Sequence, residues 1–221
     1  MPKEPFDIAE VFRRLRRECA GLPPAALFAL RDASFHSPFA LLVAALLSAR
    51  TRDETLLRVV PPLLARAPTP RALLDLPEEA LNQLLAPVTF AEAKARYLRQ
   101  LCTVLLQQYG GRVPDDPAAL RALPGVGPKT ANLVLGVAFG RPAIAVDVHV
   151  HRVTHRWGYT NAATPEQTEQ QLREKLPEEY WVEINERLVP FGKFVCTGQR
   201  PHCSRCPLLT LCRQVGVGAH R

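Results

Sequence analysis

Beyond Glu186 the chain has no acidic side chain at all, although Arg187, Lys193, Arg200, Arg205, Arg213 and Arg221 all follow. Apolar sequence is also short of length: the longest uninterrupted run, FALLVAALL at 39–47, has nine residues, far below the ~20 needed to cross a bilayer. That run therefore reads as a buried helix, and no membrane partner is expected. The opening MPKEPFDIAE holds acids and no apolar segment, so no secretory signal is expected and the chain reads as cytoplasmic. Lysine is scarce, five residues against 23 arginines. No internal repeat or low-complexity stretch interrupts the sequence, and strand-like alternation occurs only in AIAVDVHVHRV at 143–153. One isolated strand cannot make a sheet, so that local pattern does not set the fold class.

What is present points to helices and to a polyanion. The 221 residues suit one large or two packed domains. A net charge of +7 favours nucleic acid as partner, with an arginine-rich composition as the plainer explanation. Twenty-one prolines cut the chain into short pieces with helical periodicity between them. Val11, Phe12, Leu15 and Cys19 share one face of a first helix, leaving Arg13, Arg14, Arg16 and Arg17 on a solvated face. In SPFALLVAALLSAR, Ser37 is placed to cap and Pro38 to occupy the first turn. RDETLLRVVPPLLARA is expected to kink or end at Pro61 and Pro62. AEAKARYLRQLCTVLLQQYGG should stop at Gly110 and Gly111. The expected class is all-α.

One turn asks for more than a connection requires. Asp116 is placed to cap a helix starting at Pro117, Pro124 should end it, and LPGVGPKTA at 123–131 leads into a second helix through Pro128. Gly125 and Gly127 permit positive φ and close approach, and the open amides of the following helix can hold a phosphate. An ordinary αα turn needs only one glycine. The turn delivers Lys129, one of the few amines in the chain. An amine can form a Schiff base, which a guanidinium cannot.

Four of the six cysteines fall within seventeen residues as C-x6-C-x2-C-x5-C: Cys196, Cys203, Cys206 and Cys212. In a chain read as intracellular, that spacing favours metal over disulfides, either zinc or an iron–sulfur cluster. Cys19 and Cys102 lie on apolar stretches and read as buried structural thiols. His149, His151 and His155 read as packing or phosphate contacts rather than as metal ligands.

LPGVGPKTA, SPFALLVAALLSARTRD, AIAVDVHVHRV and the terminal cysteine cluster together resemble the endonuclease III family of helix-hairpin-helix DNA glycosylases, over nearly the whole chain. The resemblance implies a six-helix domain over 31–141 containing the hairpin, and a second domain built from 1–30 and 142–221 that carries a [4Fe–4S] cluster on the four cysteines, with a DNA groove between the two. It implies a monomeric base excision repair enzyme acting on double-stranded DNA with damaged bases or abasic sites, a glycosylase and lyase for oxidised pyrimidines such as thymine glycol. Lys129 would attack the sugar C1′ and Asp147 would assist, although Asp147 could also simply cap a helix. Gly125, Val126, Gly127, His149, Lys193 and Arg200 are candidate DNA contacts. Two further contacts depart from the family pattern. Arg50 stands where the family has a gap-filling glutamine, and Phe90, within TFA, stands where it has a wedging leucine within GLY. Phe191 replaces a family histidine. A mismatch or adenine glycosylase of the same superfamily, and a non-catalytic cluster-bearing DNA binder, are the competing readings.

Overall fold

The computed structural model describes residues 3–221, and every regular element among them is helical. Contacts divide the chain into two compact units: Ala26–Ala143, and the N-terminal stretch to Ala25 together with Ile144–Arg221. Helix α1 (Ile8–Glu18) belongs to the second. The first contains α2 (Ala26–Asp32), α3 (Pro38–Ser48), α4 (Asp53–Arg66), α5 (Pro70–Asp75), α6 (Glu78–Leu85), α7 (Ala91–Tyr109), α8 (Pro117–Ala122) and α9 (Pro128–Phe139).

The middle unit is built around α3. Ser37 accepts the Ala40 amide at 3.1 Å and Pro38 takes the first turn, so the helix starts where its sequence allows. All nine residues from Phe39 to Leu47 are then buried, and α3 packs against α2, α4, α7 and α9. A helix apolar on every side is stable only when neighbours surround it. No helix among the described residues is long and apolar enough to cross a membrane.

Helix α4 does not end at Pro61 and Pro62, one of the two outcomes expected there, but runs on through both to Arg66. Each proline removes an amide donor four residues after a carbonyl, here those of Leu57 and Arg58. Both residues are exposed, so water can serve their carbonyls, while Leu56, Val59, Val60, Leu63 and Leu64 hold the opposite face in the core. Packing outweighs the lost hydrogen bonds. Helix α7 stops at Gly110, which turns left-handed at φ 59°.

The second unit joins α1 to α10 (Val148–Trp157), α11 (Pro165–Lys175) and α12 (Glu183–Phe194). Val11, Phe12 and Leu15 are fully buried with Val150, Val153, Trp157, Ile184 and Leu188. Phe12 stacks on Tyr180 with centroids 4.1 Å apart. The arginine face of α1 is less free than its sequence suggests. Arg16 pairs with Glu183 of α12 at 2.5 Å, and Arg14, only partly exposed, bonds Glu10, Thr210 and the Pro207 carbonyl. These arginines tie α1 to its own unit. Cys19 and Cys102 are buried as expected, and burial pushes their thiols up to about 11 and about 12 respectively.

Residues 143–147, the first half of the alternating segment, form no strand and lead directly into α10. Ile144 and Val146 join the core of the second unit.

Leu42 lies at the centre of α3 with no exposure. Leu42→Ala is expected to destabilise the protein by about 2–5 kcal/mol, because neighbouring helices cannot fully collapse into the void. Urea unfolding followed by circular dichroism measures this as a lowered midpoint at unchanged slope.

Candidate DNA-repair site

The hairpin between α8 and α9 is fixed by its glycines in different ways. Asp116 caps α8 by accepting the Ala119 amide at 2.8 Å, and the helix ends at Ala122, before Pro124. Gly125 then adopts φ +77°, and a Cβ there would stand 2.9 Å from Cβ and Cγ of Tyr97 on α7. Gly127 has an ordinary φ of −88° and open space around it; it is the N-cap of α9 and contributes no side-chain bond to the helix amides. Lys129 follows in the first turn, half-buried. The amides at this helix start lack a side-chain cap, which is the arrangement that accepts an anion. Val126 is 6% exposed and its amide donates to the Leu123 carbonyl at 3.1 Å, so its side chain anchors the turn internally.

In the second unit, Asp147 is the N-cap of α10. Its Oδ1 accepts the amides of His149 and Val150, both at 2.9 Å. The capping role recognised in the sequence is therefore present. His149, half-buried, lies 3.1 Å through Nδ1 from Nη2 of Arg152. It also crosses α12 where that helix has Gly192: a Cβ added there would be 2.7 Å from His149 Nδ1. Phe191, at the position of the family histidine, is a core residue at 1% exposure. Lys193 sits in the last turn of α12, half-buried, and Arg200 lies exposed in the following loop with φ +44°. His151 Nδ1 meets Thr168 Oγ1 at 2.7 Å, and burial lowers its basicity.

Cys196, Cys203, Cys206 and Cys212 line one cavity with Trp157, Phe191, Val195 and Leu209. Among the described residues no three His, Cys, Asp or Glu side chains close around a single ion. Four sulfurs lining one cavity are a donor set of the kind that holds zinc or an iron–sulfur cluster. Burial pushes the Cys206 thiol up to about 12 and raises Cys212 as well. Two arginines of α10 hold the loop entering this cavity. Arg156 donates to the carbonyls of Thr197 and Gly198 at 2.7 and 2.8 Å and approaches Cys196 Sγ at 3.4 Å. Arg152 donates to the carbonyls of Gly192 and Cys196 at 2.8 and 3.1 Å. The Gln214 amide points at Cys212 Sγ at 3.3 Å.

Arg50 and Phe90, both departures from the family pattern, lie together in the middle unit. Both are exposed with left-handed backbones, φ 56° and 60°, and the Arg50 guanidinium carbon stands 5.9 Å from the Phe90 ring centroid. Such conformations cost non-glycine residues on the order of 1–2 kcal/mol each. Beneath them is a residue that sequence reasoning missed. Lys94 on α7 is buried, and its ammonium donates to the Leu47 and Ala49 carbonyls and to Thr51 Oγ1 at 2.8, 2.6 and 2.9 Å. Its signal was available: Lys94 shares helical register with Leu98, Leu101 and Leu105, all fully buried. Arg152 and Arg156 gave no comparable signal, because their carbonyl partners lie some 40 residues away.

The family model for the HhH-GPD superfamily base excision DNA repair protein matches residues 43–178. Endonuclease III of Thermotoga maritima is 42% identical over 83% of this chain and 88% of its own length. That of Escherichia coli is 40% identical over 82% and 86%. Among solved structures, a non-covalent endonuclease III–DNA complex superposes with a TM-score of 0.76 at 41% identity, covering 80% of this chain and 84% of the other. A trapped endonuclease III–DNA covalent intermediate, in an estranged-adenine complex, gives the same score at 38% identity over 86% and 93%. A thermostable thymine-DNA glycosylase, 21% identical, shares the fold at a TM-score of 0.73 over 92% and 97%.

Gly125→Ala combines a left-handed φ with a steric conflict against Tyr97, so it is expected to cost about 1–3 kcal/mol. Gly127→Ala meets nothing within 4 Å and should melt close to the parent protein. Thermal denaturation of both variants side by side checks the difference.

Proposed function

Because the chain belongs to the HhH-GPD superfamily of base excision DNA repair proteins, we propose that Lys129 and Asp147 carry its chemistry and that its preferred lesions are oxidised pyrimidines. The protein is a DNA glycosylase with lyase activity that acts on damaged bases in duplex DNA. The observation that carries the assignment of residues is the uncapped start of α9, where a glycine-bearing turn delivers a primary amine within the first helical turn.

The steps follow from the functional groups. The neutral amine of Lys129 attacks C1′, forming a C–N bond while the glycosidic bond breaks and its electron pair leaves with the base. A proton must reach that base, and positive charge develops on the sugar. Asp147 stabilises the charge and helps to relay protons. Opening of the sugar gives an iminium ion at C1′, which acidifies the 2′ hydrogens. Loss of one 2′ proton expels the 3′ phosphate and cuts the strand, and water then releases Lys129. A target base must first leave the stack, a step that costs least where damage has weakened pairing. Gly125 and Gly127, with the amides of α9, fit the role of phosphate holders. His149, Lys193 and Arg200 are proposed to add contacts to the backbone, and Arg50 and Phe90 to face the space that the displaced nucleotide vacates.

Cys196, Cys203, Cys206 and Cys212 are proposed to hold a [4Fe–4S] cluster. The donor set, the single cavity they line and the surrounding guanidinium groups suit an anionic polynuclear centre. When bound, such a cluster supplies a rigid cross-link between distant points of the loop. No step of base removal needs it, and its role is structural.

Borohydride reduction during reaction with abasic duplex DNA should trap the protein covalently, and Lys129→Ala should abolish trapping while leaving DNA binding. Asp147→Asn keeps an oxygen for the two capping amides, so it should retain stability yet lose roughly 100-fold or more in base release. Binding by both proteins without any trapping would favour a non-catalytic DNA binder. The purified protein should be coloured, with about four iron atoms per chain; a colourless, zinc-loaded preparation would reject the cluster.

A further inference from the structure

We infer that residues 213–221, which no step of the repair chemistry uses, form a positioning strap: they complete the wall of the cysteine cavity, brace the Cys196–Cys203 loop, and so keep hydrated solutes away from the group held there. The inference deepens the iron–sulfur reading above and rests on it.

The strap is anchored as soon as it leaves Cys212. The Arg213 amide donates to the Trp157 carbonyl at 3.3 Å and the Val215 amide to that of Arg156 at 3.0 Å, so both bonds fall on the last turn of α10. Carbonyls there have no partner within the helix. Arg213 also lies against Gly158, where an added Cβ would be 2.5 Å from its Cδ. The stretch before α1 adds a clasp: Lys3 Nζ donates to Gln214 Oε1 and to the Leu209 carbonyl, both at 2.9 Å. Gln214 and Gly216 then turn left-handed, with φ 56° and 66°, and the Val217 amide closes the turn on the Gln214 carbonyl at 3.1 Å.

That turn brings Gln214 and Val217 into the wall of the cavity that the four cysteines line. Val217 is partly buried, although Val215 and Gly216 just before it are exposed. Farther on, Arg221 makes three bonds to the cysteine loop. Its amide donates to the Pro201 carbonyl at 2.8 Å, its Nε to the Arg200 carbonyl at 3.1 Å, and its carbonyl accepts the Ser204 amide at 2.9 Å. Arg200 is left-handed at φ 44° and Pro201 has no amide to give, so this stretch cannot build a regular ladder of its own. Arg221 supplies the partners. Pro201 and His202 of the same loop also line the cavity, so the strap bears on the wall twice, directly at Val217 and through the loop at Arg221. The shell around a metal centre controls solvent access to it. A segment held by a few hydrogen bonds between exposed loops opens locally, without global unfolding. Opening of the strap therefore sets how readily the centre is reached.

The test uses the full chain carrying its iron, with bathophenanthroline disulfonate, a water-soluble ferrous chelator, well below the melting temperature. Decay of visible absorbance and capture of iron are followed together. Gly216→Val puts a β-branched residue at a left-handed turn, where an added Cβ meets nothing within 4 Å, and so acts on the strap alone. It should speed iron loss roughly tenfold, as should Arg221→Pro, which removes the amide and Nε donors. Arg221→Ala keeps both main-chain bonds and should stay within about threefold of wild type. Leu172→Ala, fully buried in the same unit but outside the cavity wall, should lower the melting temperature and leave the rate of iron loss below melting unchanged. Wild-type rates in Gly216→Val and Arg221→Pro would overturn the proposal, and so would a Leu172→Ala variant that lost iron as fast as they do. Should either strap variant fail to fold, Val217→Ser, which alters the wall without straining the backbone, decides by the same rate. Wild type purified without iron would reject the cluster and the strap's purpose with it, an outcome distinct from iron that is bound but equally labile in every variant.

Discussion

The second unit depends on one carboxylate oxygen. Asp147 Oδ1 collects two amides at the start of α10 and so fixes where that helix begins. From that start, with Val150, Val153 and Trp157 holding its inner face in the core, α10 carries His149 against Gly192, Arg152 to the carbonyls of Gly192 and Cys196, and Arg156 to those of Thr197 and Gly198. A shift of one residue would rotate the helix by about 100°, given 3.6 residues per turn, and would turn both arginines away from the cysteine loop. The side chain proposed to work on DNA is thus also the one that indexes the helix, which is why asparagine is the informative replacement.

Both units hold backbone oxygens with cations. Lys94 does so at the end of α3, Arg152 and Arg156 at the cysteine loop, and Arg99 at the carbonyls of Leu74 and Leu76. Beyond Glu186 the sequence holds no acid, so at the cysteine loop neutral backbone carbonyls are the acceptors at hand. Such contacts cost desolvation but lock loops whose amides and carbonyls have no regular partner. Positive charge in this protein is therefore divided between a surface available to polyanions and an internal set that organises turns.

Much of this was legible in the sequence where the controlling physics is local. Ser37–Pro38, Asp116–Pro117 and Gly110 mark helix ends because caps and left-handed turns are decided within a few residues. The alternation around Asp147 was a weaker guide: Ile144 and Val146 are buried, yet from Val148 the same segment is helix. The prolines of α4 did not reveal that the helix continues through them, since their cost is local while the packing that offsets it is tertiary. The burial of the Val126 side chain was not read from the sequence, because it is decided by how the turn folds back on its own unit. The contact of Arg50 with Phe90, 40 residues away, is tertiary and has no local signal in the sequence.

The guanidinium contacts at the cysteine loop engage main-chain oxygens and not the cysteine side chains alone. The stretch from Cys196 to Gly198 is thereby tethered to α10 by the chain itself, so the proposed cluster would meet a loop whose first wall does not depend on it.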